Sequence, residues 1–214
     1  MARRAMAVQD KQARREVILQ AAATLFAERE DGLPSASEIA AKAGLAKGTI
    51  YIYFQTKEEI FVALLALELQ ALLNEVAHVF ASADAPPGTK VAAFIDLYAR
   101  HLERRPELLR MDALGYGVLE ANLDAEKKLA FKLGFAGRLA DTGRVIEAAL
   151  ALSSGRGGQL LMRSFALTRG LWQSTGAAAA SFAGDVRLGL LYADFQSELR
   201  DALAEYWRGA LMDG

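Results

Sequence analysis

No cysteine occurs in the 214 residues, which excludes disulfides and thiolate metal sites and suits a reducing compartment. Histidine is almost as scarce. His78 and His101 fall on different predicted helices without metal-ligand spacing, and each reads as a surface or interface residue. Only four prolines are present, and 53% hydrophobic with 24% charged residues is ordinary for a soluble globular chain, not a disordered one. The N-terminus MARRAMAVQDKQARRE carries positive charge but lacks the apolar stretch of a secretory signal. Ile60 to Phe80 is the most apolar segment, yet Glu68, Gln70, Asn74 and Glu75 interrupt it, so it reads as a buried soluble helix. A cytoplasmic protein without a membrane partner is expected.

Catalytic patterns are missing too. There is no G-x-S-x-G, and Gly155-Arg156-Gly157-Gly158 lacks the Lys-Ser/Thr and the preceding strand of a phosphate-binding loop. It reads as a helix break. Asp112, Glu120 and Glu147 read as scattered acids, their spacing in the sequence marking no paired site. The sequence therefore predicts no catalytic residue, no metal and no cofactor, hence no enzyme.

Charge is present but unevenly placed. Residues 1–57 hold nine Lys/Arg against six Asp/Glu, a net of +3, and the remainder holds sixteen against twenty, a net of −4. A slightly basic head on an acidic body is consistent with a polyanion partner, although solvated charges fluctuate this much by chance. Arg3, Arg4, Arg14 and Arg15 read as a solvated, partly disordered arm, the alternative being contact with phosphate or the minor groove.

Helical spacing runs through nearly the whole chain. Ile18, Ala22, Leu25 and Phe26 make one apolar stripe, predicting a first helix over about Lys11 to Arg29. Asp31-Gly32-Leu33-Pro34 stops it. Ser35 and Glu38 have capping-box spacing, so a short helix follows over about Ala36 to Ala43, and Gly44 supplies the positive φ that ends it. Thr56 and Glu59 repeat the box and start another helix near Lys57. Between them lies Gly48-Thr49-Ile50-Tyr51-Ile52-Tyr53-Phe54, whose β-branched and aromatic residues favour a strand by propensity. Its flanks allow only a short helix.

Farther on, breaks are predicted at Asp84 to Gly88, Arg105-Pro106, Asn122 to Asp124, Ser153 to Gly158 and around Gly176 to Gly184. No repeat of fixed period is visible. The predicted fold is all-α: an N-terminal three-helix head with a helix-turn-helix, followed by a larger bundle of about six helices. The division falls at 1–60, with the motif over about 36–54, and 61–214.

In the helix-turn-helix, Ile39, Ala40 and Ala43 are placed to pack on Leu45, Ile50 and Phe54. At 100° per residue Ile50 and Phe54 share one face, Gly48, Thr49 and Ile52 the opposite one, and Tyr51 and Tyr53 the flanks.

The string Ser35-x-x-Glu38-Ile39-Ala40-x-x-Ala43-Gly44-Leu45-x-Lys47-Gly48-Thr49-Ile50-Tyr51-x-Tyr53-Phe54-x-Thr56-Lys57-Glu58-Glu59-Ile60 closely resembles the DNA-binding head of the tetracycline-repressor (TetR) family. The resemblance implies that the helix at Lys47 enters the major groove of double-stranded DNA. It also implies that Thr49, Tyr51, Tyr53 and Lys57 contact phosphates or bases, and Lys47, Gly48 and Ile52 of the same helix are expected to join them in meeting DNA. Hydroxyls and ammonium groups suit phosphates, glycine permits close backbone approach, and Ile52 suits a thymine methyl. Ala46 departs from the family, which commonly has Ser or Thr there, and a lost helix cap costs on the order of 1 kcal/mol.

The resemblance further implies a homodimer through the last two helices, over about Gly158 to Thr175 and Asp185 to Met212. These carry Leu160, Leu171, Leu188, Leu191, Phe195, Leu199, Leu203 and Trp207. Two heads held about one DNA turn apart require a near-palindromic operator. In the body, Phe94, Tyr98, Met111, Tyr116, Phe131, Phe135, Met162, Phe165 and Trp172 could line a pocket for a small hydrophobic effector. The expected function is a ligand-responsive transcriptional regulator, in most such cases a repressor. The alternative is a helical DNA-architectural or protein-interaction module without small-molecule control.

Overall fold

The structure is a computed structural model that describes residues 2–82, 85–182, 187 and 193–212, the side chains of 2–8, 116 and 176–182 excepted. Among the described residues there is no strand, and the chain is all-α. The helices are α1 (Ala2–Ala27), α2 (Ala36–Lys42), α3 (Lys47–Tyr53), α4 (Lys57–Ala81), α5 (Pro87–Arg104), α6 (Pro106–Leu114), α7 (Ala125–Leu150), α8 (Arg156–Phe182) and α9 (Phe195–Met212). A π-helical turn, Gly115–Leu119, and a 3-10 turn, Glu120–Asn122, separate α6 from α7. The chain forms two compact units, one of residues 1–68 with 110–131, the other of 69–109 with 132–214.

In the first unit the predicted stripe is the core: Ile18, Ala22 and Phe26 are buried, and the Phe26 and Phe61 rings lie 5.4 Å apart. The first helix begins at Ala2, not near Lys11. Arg15 is consequently not part of a solvated arm, because its guanidinium sits 5.1 Å over the Phe54 ring and ties α1 to the end of α3. Gly32, at φ +66, turns the chain after α1. The Ser35–Glu38 capping box is complete: the Glu38 amide donates to Ser35 Oγ and the Ser35 amide to Glu38 Oε2.

In the second unit, α5 and α8 pack on α9 around Trp207, which has no exposed surface and lies 4.9 Å from the Phe94 ring and 5.9 Å from that of Phe80. Its Nε1 donates to Ser164 Oγ at 3.0 Å. Ser164 and Thr168 in turn bond the carbonyls one turn back in α8, and Tyr98 pairs with Thr168 at 3.1 Å, so the polar groups under the rings are matched.

Two sequence expectations change here. The chain turns at Gly155, φ +83, but Gly157 and Gly158 are inside α8. They lie against Gly143 of α7, where an added Cβ would come 2.5 Å from the Gly158 nitrogen. These glycines are a helix crossing, not only a break. Also, α8 runs to Phe182 instead of ending near Thr175, because Gly176 is followed by four alanines, the best helix formers.

By length and composition α4 could cross a membrane, but half of its most apolar stretch is buried within the protein, as in a core helix. His101 is buried rather than superficial, with Nδ1 3.2 Å from Glu75 Oε2. Glu147 does have a partner, since it accepts the Gly157 amide at 3.0 Å and so caps the start of α8. Among the described residues no group of three His, Asp or Glu is placed to hold a metal.

Candidate nucleic-acid interface

Local chemistry fixes the site. The Ala43 and Leu45 amides bond back to Ile39 and Ala40, and Gly44 takes φ +66, a left-handed conformation that favours glycine. This turn reverses the chain into α3. Ile39, Ala40, Ile50 and Phe54 are all buried, so α2 and α3 are locked together through the side chains the spacing picked out. Ala46 provides no side-chain cap, as its methyl group dictates.

Phe54 then leaves the helix in an extended conformation, φ −139 and ψ 124, and α4 begins three residues later. Thr56 Oγ1 accepts the Glu59 amide at 3.2 Å, while Glu59 Oε2 accepts the amide of Gln55, not of Thr56, at 3.0 Å. The second capping box is thus shifted by one residue on its return bond.

With Ile50 turned inward, the far face of α3 stands free. Ile52 is 72% exposed and Tyr51 48%; Lys47 and Gly48 are exposed, Thr49, Tyr53 and Lys57 half-buried. A groove of about 390 Å³ runs between the start of α2 and the α3–α4 turn, bordered by Ser37, Lys47, Tyr51, Thr56 and Lys57, with Glu58 also on its rim. Two nearby cations of this unit are engaged elsewhere: Arg29 pairs with Glu38, and Lys42 with Glu28 at 3.4 Å. Lys47 and Lys57 have no ion-pair partner among the described residues. Two free ammonium groups, a phenol and hydroxyls around one groove, next to an exposed aliphatic side chain, match the two chemistries of DNA, phosphate oxygens and base methyls.

The residues expected to line an effector pocket are placed as follows. Phe94 and Tyr98 are buried with rings 5.6 Å apart, Tyr98 meets Phe165 at 5.9 Å, and Phe165 meets Phe135 at 5.7 Å, a continuous aromatic run in the second unit. Trp172 packs edge-on against Phe195 at 5.2 Å. Met162 stands apart on the outside of α8, exposed. Met111, buried, and Phe131, half-buried, belong to the first unit. The Tyr116 side chain, Leu188 and Leu191 lie outside the described residues.

Of the apolar residues of α8 and α9, Leu160, Leu199, Leu203 and Trp207 are fully buried within the single chain. They are therefore not free to meet another copy. Nothing in the sequence singles out Arg110 and Lys127, which bind the segment 110–131 to the end of α1 and to the α3–α4 turn. Only the spacing Asp124-x-x-Lys127, a helix start, is visible there.

An all-α chain with a helix-turn-helix head carrying a free, cationic second helix defines a DNA-binding regulator. Residues 18–64 match the profile of bacterial regulatory proteins of the tetR family, and residues 66–214 match the tetracyclin repressor-like C-terminal domain. The chain belongs to the tetracycline-repressor family of transcriptional regulators. Solved structures agree. A TetR-family regulator from Mesorhizobium loti is similar at 19% identity over 94% of this chain and 96% of that one, TM-score 0.59. A TetR regulator from Rhodococcus sp. RHA1 is 21% identical over 92% and 97%, TM-score 0.56. FadR from Bacillus subtilis, in complex with stearoyl-CoA, is 20% identical over 89% and 98%, TM-score 0.53. At these identities the likeness is one of fold. Comparison with curated protein sequences returns no match.

Proposed function

We propose that this regulator is a homodimeric repressor released from a near-palindromic operator by a small hydrophobic effector. Residues 1–60 are its DNA-binding domain and 61–214 its effector-binding and dimerisation domain. Lys47, Thr49, Tyr51, Tyr53 and Lys57 meet phosphates, Gly48 allows close approach and Ile52 reads a thymine methyl. The observation that carries this reading is the outer face of α3. A seven-residue helix places a 72% exposed isoleucine beside a groove with two unpaired lysines.

The aromatic run from Phe94 to Phe135 supports an apolar or aromatic effector, and the stearoyl-CoA held by a protein of the same fold is a precedent for a hydrophobic ligand. Effector binding shifts α4 from its start at Lys57 and changes the spacing of the two heads. Operator and effector affinities are then reciprocally coupled. With Leu160, Leu199, Leu203 and Trp207 committed to the core, dimerisation uses the outer faces of α8 and α9. The cytoplasm is the compartment this function requires.

The test is a gel-shift titration on the DNA upstream of the protein's own gene, repeated over a range of salt concentrations. Selective retardation of that DNA over a scrambled duplex is expected; equal affinity for both would point to an architectural protein and overturn the reading.

A further inference from the structure

The α3–α4 turn is held from behind by a residue far away in sequence. Lys127, in the first turn of α7, donates from Nζ to Glu59 Oε1 at 2.8 Å and to Gln55 Oε1 at 2.9 Å, and pairs with Asp124 Oδ2 at 3.1 Å. An ammonium group has three N–H donors, and these three acceptors use all of them. The loop closes on both sides. Glu59 presents its second oxygen to the Gln55 amide at 3.0 Å, and Asp124 presents its own to the Lys127 amide at 2.8 Å. The Glu59 side chain is only 11% exposed, so its charge depends on Lys127 for compensation.

A second tether fixes the other end of the same segment. The Arg110 guanidinium lies 4.6 Å over the Phe26 ring and donates to the carbonyls of Arg29 and Glu30, the latter at 3.2 Å. Residues 110–131 therefore grip the three-helix head at two places, the end of α1 and the turn after α3. All of these residues belong to one compact unit.

We propose that Lys127 is a positioning residue for DNA binding, which by gripping Gln55 and Glu59 fixes the turn behind α3 and so the angle at which the exposed Ile52 face meets the base edges. This rests on the reading of the groove above. It also sets two kinds of lysine apart. Lys57 has no partner among the described residues and is free for phosphate, whereas Lys127 has no donor left for it. Loss of Lys127 should thus disturb the geometry of recognition without removing a phosphate contact.

The experiment compares wild type with Lys127→Met, Lys127→Arg, Glu59→Gln and the Lys127→Met/Glu59→Gln pair. Each is titrated by fluorescence anisotropy against the upstream duplex and a scrambled duplex at several salt concentrations. Thermal melts followed by circular dichroism verify the fold, and Lys127→Gln substitutes should Lys127→Met fail to fold. Lys127→Met should bind the upstream duplex on the order of tenfold more weakly, with scrambled-duplex affinity and salt slope unchanged. Lys127→Arg should retain most of the affinity, and the double variant should lose no more than the worse single one, because the two residues act through one contact. In the absence of DNA, hydrogen exchange at the Gln55 and Glu59 amides should accelerate in Lys127→Met.

A salt slope lower by about one, with parallel loss on both duplexes, would make Lys127 a direct phosphate ligand and overturn the proposal. So would unchanged affinity, or additive losses in the double variant. Unchanged exchange at Gln55 and Glu59 overturns the grip itself, independently of DNA. If the wild-type protein does not prefer the upstream duplex, the reading of the groove fails instead, and with it any DNA role for Lys127.

Discussion

In the proposed interface with DNA, Ile52 and Lys57 divide the work, and each has its own measurable signature. Replacing Lys57 with Ala should weaken binding to every sequence and flatten the salt dependence by about one unit, since one counterion fewer is released. Affinity measured across salt concentrations checks this, and an unchanged slope would remove Lys57 from the contact set. Ile52→Ser should act differently. Losing only a methyl contact costs roughly 1 kcal/mol at one thymine, so a panel of operators with single base changes should show altered preference at one position, not uniform loss. Glu38 offers a pH signature. Hydrogen bonds from Ser35, side chain and backbone, together with the charge of Arg29, hold its carboxyl below its usual value of 4.5. A group whose pKa is depressed on folding stabilises fully above its unfolded value and loses that contribution as pH falls through the folded one. Amide exchange at the start of α2 should therefore be pH-insensitive in its opening equilibrium near neutrality and loosen only on acidification below 4.5; Glu38→Gln should lack that acid-side change.

At the level of helices, the contrast is between elements shaped by their own sequence and elements shaped by their neighbours. The Ser35–Glu38 box, the Gly44 turn and the inward Ile50–Phe54 pair are all local, spanning at most a few residues, and so are legible in the amino-acid sequence. The strand-like composition of Ile50 to Phe54 yields to those flanks: Ile50 and Phe54 are buried while Ile52 is exposed, a spacing that a helix allows and a strand, which would put all three on one face, does not. The α7–α8 crossing is not legible in that way. Gly157 and Gly158 are equally good punctuation for a loop, and nothing near them in sequence points to Gly143. Gly143→Ala should destabilise by about 1–3 kcal/mol, measured by urea unfolding, because the atoms in the way are backbone and cannot swing aside. Gly170→Ala, where an added Cβ meets nothing within 4 Å, should be neutral or slightly stabilising by the same measurement.

For the whole molecule, the proposed function turns on whether two chains assemble and on what each carries. Native mass spectrometry of freshly purified protein should show a dimer mass with a retained small hydrophobic molecule, and adding that molecule should lower operator affinity. A monomer, or a retained ligand without effect on DNA, would contradict the proposed control. Dimerisation through outward faces of α8 and α9 is also a sharper expectation than the sequence allows. Apolar residues on the last helices look available in the sequence, but Leu199, Leu203 and Trp207 are consumed by the packing of α5 and α8 on α9. Sequence alone determined the helical class, the helix-turn-helix and its outward α3 residues, because caps, glycine turns and helical spacing act within one or two turns of chain. Only the tertiary structure decided that Arg15 rests on Phe54, that Gly143 meets Gly158, and that Lys127 holds Gln55 and Glu59. These contacts join residues far apart in the chain, where no periodicity or cap marks the partner and only packing and charge compensation in three dimensions select it.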